Sequence, residues 1–383
     1  MKILILRMWP DELNIKNYNC QEIGLAKALI KKGNICDIVL YSKEYKEDEE
    51  IEIDENNKIH IYYLKGKSFL KNLFFEKRLY EIIDNYDIVQ TSEYDQIANV
   101  FLRKKLKNKL IIYHGPYESE YTKGYKIKCL VSDLIHMVYK DYKKTFVIAK
   151  SSLAENFLKK KGFEKVKTIG VGLDIERFQN TRKTNNEINE LIEEKNNNNL
   201  KYLLYIGKIE ERRNIIFLID ILKKINKERE DLRLILVGNG EKEYIDKCKE
   251  HSAKNFVREK IHYIESLTQE ELTNLYKICE IFVLPTNYDI FGMVLLEAMY
   301  FGSVVITTPN GGSKTLIKHD ENGYIFKLNQ FDQWINIIKE LIDNDQKRIE
   351  IGNNASKNIR ENFLWDNLAE KFLEVYREGE NNE

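Results

Sequence analysis

Short apolar, β-branched runs alternate with longer amphipathic stretches along most of this chain. In the N-terminal half the strand-like runs are KILIL, ICDIVLY, KIHIYYL, DIVQT, KLIIYH, TFVIAK and KVKTIG. Helical patterns lie between them, such as NCQEIGLAKALIKKG, which Gly33 should end. Strands alternating with helices predict parallel pairing in a doubly wound sheet. The alternation stops near Leu173 to Phe178, where a polar, asparagine-rich stretch follows (180–199). A second series starts at KYLLYIG and continues through LRLILVG, KIHYIE, IFVLP and SVVITT. The expected organisation is an N-terminal α/β domain (1–178), a polar linker or surface segment (179–200), a second α/β domain (201–363) and a terminal amphipathic helix (364–383).

A chain of 383 residues suits two domains, each able to bury its own core. The five cysteines, Cys20, Cys36, Cys129, Cys248 and Cys279, have no CxxC spacing, so they read as reduced thiols rather than a disulfide or zinc framework. MKILIL is too short for a signal peptide, and no stretch approaches the ~20 apolar residues of a membrane span. The expected location is the cytoplasm. Net charge is zero, yet residues 1–175 carry 31 Lys+Arg against 25 Asp+Glu, a difference of +6. The remaining 30 against 36 give −6. A basic N-terminal half points to an anionic partner or surface, or to no more than a solvated lysine-rich face.

The chemistry concentrates in NYDIFGMVLLEAMYFGSVVITTPNGG, Asn287 to Gly312. IFVLP before it reads as a buried strand stopped by proline. Asp289 then falls on a loop, and Glu297 lies eight residues on, within a helix. The backbone N–H groups from Phe291 through Gly292 and Met293 to Val294 would be the helix's unsatisfied first-turn donors, a ready site for phosphate. A dipole-compensating acid on an ordinary loop-to-helix turn is the other reading.

This stretch resembles the E-x7-E region of the retaining GT-B-fold glycosyltransferases of family 4, the glycosyl transferases group 1. Phe291, Gly292, Glu297, Ala298, Met299, Gly302, Val304, Val305, Gly311 and Gly312 match in register, with Asp289 in place of the first Glu. The resemblance covers nearly the whole chain and is strongest from Tyr205 to Phe326. It implies an α/β GT-B fold, two Rossmann-like doubly wound domains facing a central cleft, with the last helix crossing back to the N-terminal domain. It also implies a hexosyltransferase-type enzyme that moves a sugar from a nucleotide-sugar, expected to be a UDP-sugar, to an acceptor hydroxyl with retention. Asp289 would read the sugar, and Glu297 the ribose.

Other motifs fall in register. YIGKIEERRN resembles the family's glycine followed by two cations. Gly207 would line the nucleotide site, and Lys208 and Arg213 would neutralise the diphosphate and the leaving-group charge. A solvated basic turn is the alternative there. Gly238, in LILVGNGEKEY, and Ile264, on the strand before TQEELTNLYKICE, would line the nucleotide site, although Glu265 stands where the family usually has glycine. His114 follows a strand's carboxyl end, where ligands bind in open α/β sheets, and would contact a sugar hydroxyl or orient the acceptor. Two departures stand out: Lys16-Asn17 replaces the family's Gly-Gly, in a loop that carries Trp9 and Tyr18, and Thr315 replaces a Glu. Asp343-Asn344-Asp345 has D-x-D spacing but reads as a turn with an N-capping Asp, so neither a metal nor another cofactor is expected.

Many relatives act on lipid-linked acceptors. Lysine clusters with aromatics nearby, FLRKKLKNK, YTKGYKIK and YKDYKK, motivate a peripheral hold on the inner face of the cell membrane. The expected partners are a nucleotide-sugar donor, a saccharide or lipid-linked saccharide of a surface or capsular polysaccharide, and an anionic membrane surface, with no nucleic acid. Two rivals stay open: a nucleotide-sugar 2-epimerase of the same fold, and a catalytically silent donor-binding subunit.

Overall fold

The computed structural model describes residues 1–15, 20–69, 71–178 and 185–380. The loop substitution Lys16-Asn17 and Tyr18 lie outside them. Two compact units emerge: residues 1–174 with 363–383, and residues 175–362.

The N-terminal unit holds an eight-stranded sheet in the order Val166–Thr168, Phe146–Ala149, Leu110–His114, Ile88–Ser92, Lys2–Leu6, Ile35–Tyr41, Lys58–Leu64 and Glu49–Glu52. Every neighbouring pair is parallel except the last, where Glu49–Glu52 closes the edge antiparallel. The central strands are buried along almost their whole length, as a sheet covered on both faces requires. Helix Gln21–Lys31 ends where Gly33 adopts φ 80° and its N–H donates to the Ile30 carbonyl at 2.8 Å. A two-stranded ribbon, Gly66–Phe69 with Asn72–Phe75, had no counterpart in the sequence reading.

The terminal helix Trp365–Glu380 packs within this unit. Trp365 explains how: a Cβ at Gly24 or Gly172 would stand 2.3 Å from its indole, so only two glycines leave room for the ring between them. Tyr376 OH then donates to Gln90 Oε1 at 2.6 Å, deep under the sheet.

The second unit holds six parallel strands in the order Ile261–Ile264, Leu232–Val237, Lys201–Ile206, Ile281–Leu284, Val304–Thr307 and Tyr324–Ile325. Counted along the chain this is 3-2-1-4-5-6, the order of a dinucleotide-binding Rossmann sheet. Its connections reverse direction between Lys201–Ile206 and Ile281–Leu284, which pair directly through Leu203 with Ile281 and Leu204 with Phe282. In open sheets of this order ligands bind outside the carboxyl ends of the strands, at this reversal point.

The segment read as a polar linker contains a helix, Asn186–Asn198. Asn185 caps it by accepting from the Ile188 N–H at 2.9 Å, and Ile188 and Leu191 are buried. Its sparse apolar residues, spaced three apart, anchor a helix whose remaining surface is asparagine, glutamate and lysine. The D-x-D turn also differs in detail. The capping side chain is Asn344, which accepts from the Lys347 N–H at 2.9 Å. Asp343 and Asp345 each hold an arginine at 2.6 Å, Arg229 and Arg348.

Candidate active site

The switch point of the second unit brings together most of the residues singled out in the sequence. The loop after Lys201–Ile206 starts at Gly207, and the loop after Leu232–Val237 starts at Gly238. A Cβ on Gly238 would lie 2.0 Å from the Gly207 carbonyl oxygen. Gly238 therefore has no room for a side chain at this close backbone approach. Gly238 N–H donates to the Ile264 carbonyl at 2.9 Å, which joins the third strand's end to the same layer. Glu265, in the position expected for glycine, accepts from Asn239 Nδ2 at 2.8 Å and so helps fix the glycine loop.

Asp289 and Arg213 form an ion pair, with Arg213 Nη1 2.6 Å from Asp289 Oδ2. The sequence reading gave them separate tasks, sugar and diphosphate; the structure joins them across the switch point. Burial disfavours the Arg213 charge, but Asp289 outweighs it and holds the guanidinium above its usual range. Backbone contacts stitch the same two loops. Asn287 N–H donates to the Arg212 carbonyl at 2.9 Å, and Arg212 Nη1 donates to the Tyr288 carbonyl at 2.6 Å. Asn214 Nδ2 reaches the Pro285 carbonyl at 2.7 Å.

Lys208 is the exposed cation of the pair. Its side chain is 57% exposed against 13% for Arg213. Glu210, missed in the sequence, organises this turn. It lies 2.6 Å from Arg212, 3.4 Å from Lys208 and 4.0 Å from Arg213. An acid flanked by three cations in KIEERR was the available signal.

Gly292 adopts φ 71° and turns the chain into helix Met293–Tyr300. Asp289 Oδ1 accepts from the buried Phe291's N–H at 3.3 Å, and Leu295 N–H donates to the Gly292 carbonyl at 2.9 Å. The N–H groups of Met293 and Val294 have no acceptor among the described residues. They follow Asp289 closely along the chain and offer an anion two donors at a positive helix end. Gly311 and Gly312 support this loop from behind: a Cβ on either would sit 2.0 Å from the Ile290 or 1.6 Å from the Phe291 carbonyl oxygen. Thr315, in the place of the family's Glu, turns its hydroxyl to the Gly311 carbonyl at 2.9 Å.

Glu297 is buried in that helix. Tyr276 OH donates to one carboxyl oxygen at 2.9 Å and Gln269 Nε2 to the other at 3.2 Å. Burial pushes the carboxyl up to about 7, and these two hydrogen bonds only partly offset it. Tyr276 and Gln269 were not foreseen, because nothing in TQEELTNLYKICE marks them as facing an acid.

In the N-terminal unit, His114 ends its strand fully buried, with Nδ1 2.7 Å from Glu93 Oε2. Burial works against the charge of Glu93, but His114, Lys150 and the Gly115 N–H outweigh it and hold the carboxyl below its usual range. Glu93, Asp95 and His114 bring ligand-type atoms within 4.8 Å of one another. Lys128 Nζ stands 2.5 Å from Asp95, so this cluster already contains its own cation.

Residues 187–358 match the family model of the glycosyl transferases group 1. The chain is 28% identical to an uncharacterized glycosyltransferase of Methanocaldococcus jannaschii, over 92% of each protein. It is 26% identical to the capsular polysaccharide biosynthesis glycosyltransferase CapM of Staphylococcus aureus, over 55% of this chain and 54% of CapM. Among solved structures, HepE of Anabaena in complex with UDP and glucose superposes with a TM-score of 0.72 at 18% identity, covering 99% of this chain and 100% of HepE. The fold is that of the GT-B glycosyltransferases.

Proposed function

We propose that this chain, a GT-B glycosyltransferase of the hexosyltransferase type, moves a sugar from a UDP-sugar to an acceptor hydroxyl with retention of configuration. The observation that carries this reading is the Arg213–Asp289 pair at the switch point, with Asp289 on the loop that leads into the open N–H groups of Met293 and Val294. A diphosphate needs aligned donors and cations, and a sugar needs an acid fixed at one angle. Arg213 would hold Asp289 toward the sugar hydroxyls. Lys208, the more exposed cation, would swing onto the diphosphate and stabilise the departing charge. Glu297 would accept from the ribose hydroxyls by exchanging its Tyr276 and Gln269 partners. Gly207, Gly238 and Ile264 would form the backbone wall of the nucleotide site. His114, positioned by Glu93, would orient the acceptor. Same-face attack would let the departing phosphate take the acceptor proton, with neither metal nor cofactor.

The acceptor is proposed to be a lipid-linked saccharide of a surface or capsular polysaccharide, with the protein held peripherally on the membrane's inner face. The similarity to CapM supports this. No helix among the described residues is long and apolar enough to cross a membrane. The test is incubation of purified protein with a panel of nucleotide-sugars. Slow release of nucleotide and free sugar from one donor supports transfer, sugar isomerisation indicates an epimerase, and silence with every donor indicates a binding subunit.

A further inference from the structure

Helix Lys123–Val138 in the N-terminal unit is turned inside out. Its inner face carries Cys129, Ser132 and His136, all buried. Ser132 Oγ donates to the Asp95 carbonyl at 3.2 Å, and the His136 ring lies 4.4 Å from that of Tyr142. Most of the apolar side chains point the other way. Ile127, Leu130, Val131, Leu134, Met137 and Val138 are between 41% and 76% exposed. Their spacing, i, i+3, i+4, i+7, i+10 and i+11, draws one continuous stripe along the helix. A solvated helix normally buries such a stripe, and an exposed one marks an interaction surface.

The stripe's C-terminal end opens on a basic cavity of about 630 Å³. Val138 and Tyr139 line it together with Arg103, Lys104, Lys107 and Lys140; Asp141 is the one acid in the lining. Arg103 Nε and Nη1 are buried without an acceptor. Its Nη2 donates to Asn108 Oδ1 at 3.1 Å, and two donors left unanswered in one guanidinium are costly. Phe101, 45% exposed, packs its ring 6.3 Å from Tyr139, and Lys104 Nζ sits 4.3 Å over the Tyr139 ring. Aliphatic stripe, aromatic edge and cationic rim together match a helix that lies in the plane of an anionic bilayer.

We propose that helix Lys123–Val138 seats the protein on an anionic leaflet, with its stripe in the acyl boundary and a lipid phosphate in the Arg103 cavity. This deepens the peripheral-membrane part of the proposed function and rests on it.

Flotation of the full chain with phosphatidylcholine vesicles, with and without phosphatidylglycerol, tests it. Binding is expected to the anionic vesicles alone and to weaken with salt. Leu134→Gln with Met137→Gln should reduce binding about tenfold or more. Lys104→Gln and Lys107→Gln should each cost about fivefold. These side chains are exposed, so melting temperature and nucleotide release in solution should hold. Met137→Cys carrying an environment-sensitive dye gives a second readout, since all five native thiols are buried. Its emission should shift to the blue on anionic vesicles. Inorganic phosphate at matched ionic strength should leave the protein on the vesicles, and release by phosphate would overturn the lipid assignment. Wild-type flotation with an unimpaired stripe variant would refute this helix while leaving membrane association intact. No flotation of the wild type would refute both, and continued nucleotide release would show that the transferase reading survives. A dimer abolished by the stripe variant, without vesicle binding, would assign the surface to a second copy instead.

Discussion

Arg213 Nη1 lies 2.6 Å from Asp289 Oδ2, and this pair joins the loops that follow the two central strands of the C-terminal sheet. Both side chains are largely buried, at 13% and 15% exposure. A pair so placed is poorly screened, and removing one partner strands the other. The same contact therefore serves two ends: it locks these loops together and fixes the angle of the acid proposed to read the sugar.

Arg213→Ala should lower stability by about 2–3 kcal/mol, somewhat less than the loss from breaking a fully buried pair. Lys208→Ala should stay within about 0.5 kcal/mol, as an exposed side chain does. Both should slow turnover of a UDP-sugar by roughly 10²–10³-fold, the scale for losing one preorganised charge-stabilising group. Denaturant titration and initial rates separate the two effects. Equal stability of the two variants would show that the ion pair does not hold the loops.

Asp289→Asn keeps the shape of the side chain and removes its charge. Transfer should fall by roughly 10²-fold or more, the scale of an oriented group lost from the reacting centre. Affinity for UDP alone should hold or improve, because the Arg213 charge is released toward the diphosphate. Calorimetry with UDP checks this, with Glu297→Ala as the comparison. If Asp289→Asn loses as much UDP affinity as Glu297→Ala, the division between sugar and ribose acids is wrong.

Much of this architecture was legible in the sequence because its strands are buried on both faces. KILIL, ICDIVLY, LRLILVG and IFVLP show as apolar runs and form the sheet centres. Elements at the edge carry no such signature. Glu49–Glu52 is acidic at three of its four positions, and Tyr324–Ile325 is two residues long. Of the candidate site, the register of glycines and acids was readable, but the partnerships were not. Arg213 and Asp289 are 76 residues apart, and the pairing of Leu203 with Ile281 and Leu204 with Phe282 brings their loops together. Glu297 was visible as an acid, whereas its burial under Tyr276 depends on how helix Gln269–Ile278 packs.

Glu297 should make stability depend on pH. Folding raises its carboxyl from 4.5 to about 7, chiefly through burial, so the folded state favours the neutral acid. That contribution is complete below about 4.5 and is lost as pH rises through about 7. Glu297→Gln, which mimics the neutral form, should match the wild type at about pH 4 and melt higher at about pH 8. If the ribose hydroxyls bind the charged carboxylate, UDP-sugar affinity of the wild type should rise between about pH 6 and 8 and stay flat in Glu297→Gln. Parallel pH profiles for the two proteins would remove Glu297 from the nucleotide site.

Gly312→Ala tests whether the Gly-Gly pair acts through the loop in front of it. The new methyl would lie 1.6 Å from the Phe291 carbonyl oxygen, a distance that forces the Asp289–Phe291 backbone to move. Gly311 faces the Ile290 carbonyl at 2.0 Å and donates its N–H to the Asp289 carbonyl at 3.1 Å, so the shift would reach the acid itself. The expected loss is about 2–4 kcal/mol of stability, the range for overpacking against backbone that cannot retreat. Transfer should fall by roughly 10²-fold in the folded fraction, since small displacements of a positioned group cost that much. Gly124→Ala is the control: nothing lies within 4 Å of its added methyl, and it sits in the exposed first turn of a helix. It should be neutral or stabilise by about 0.5–1 kcal/mol. A Gly312→Ala enzyme with wild-type melting and rate would mean that Gly-Gly does not support the loop, and that the position of Asp289 is set by Arg213 alone.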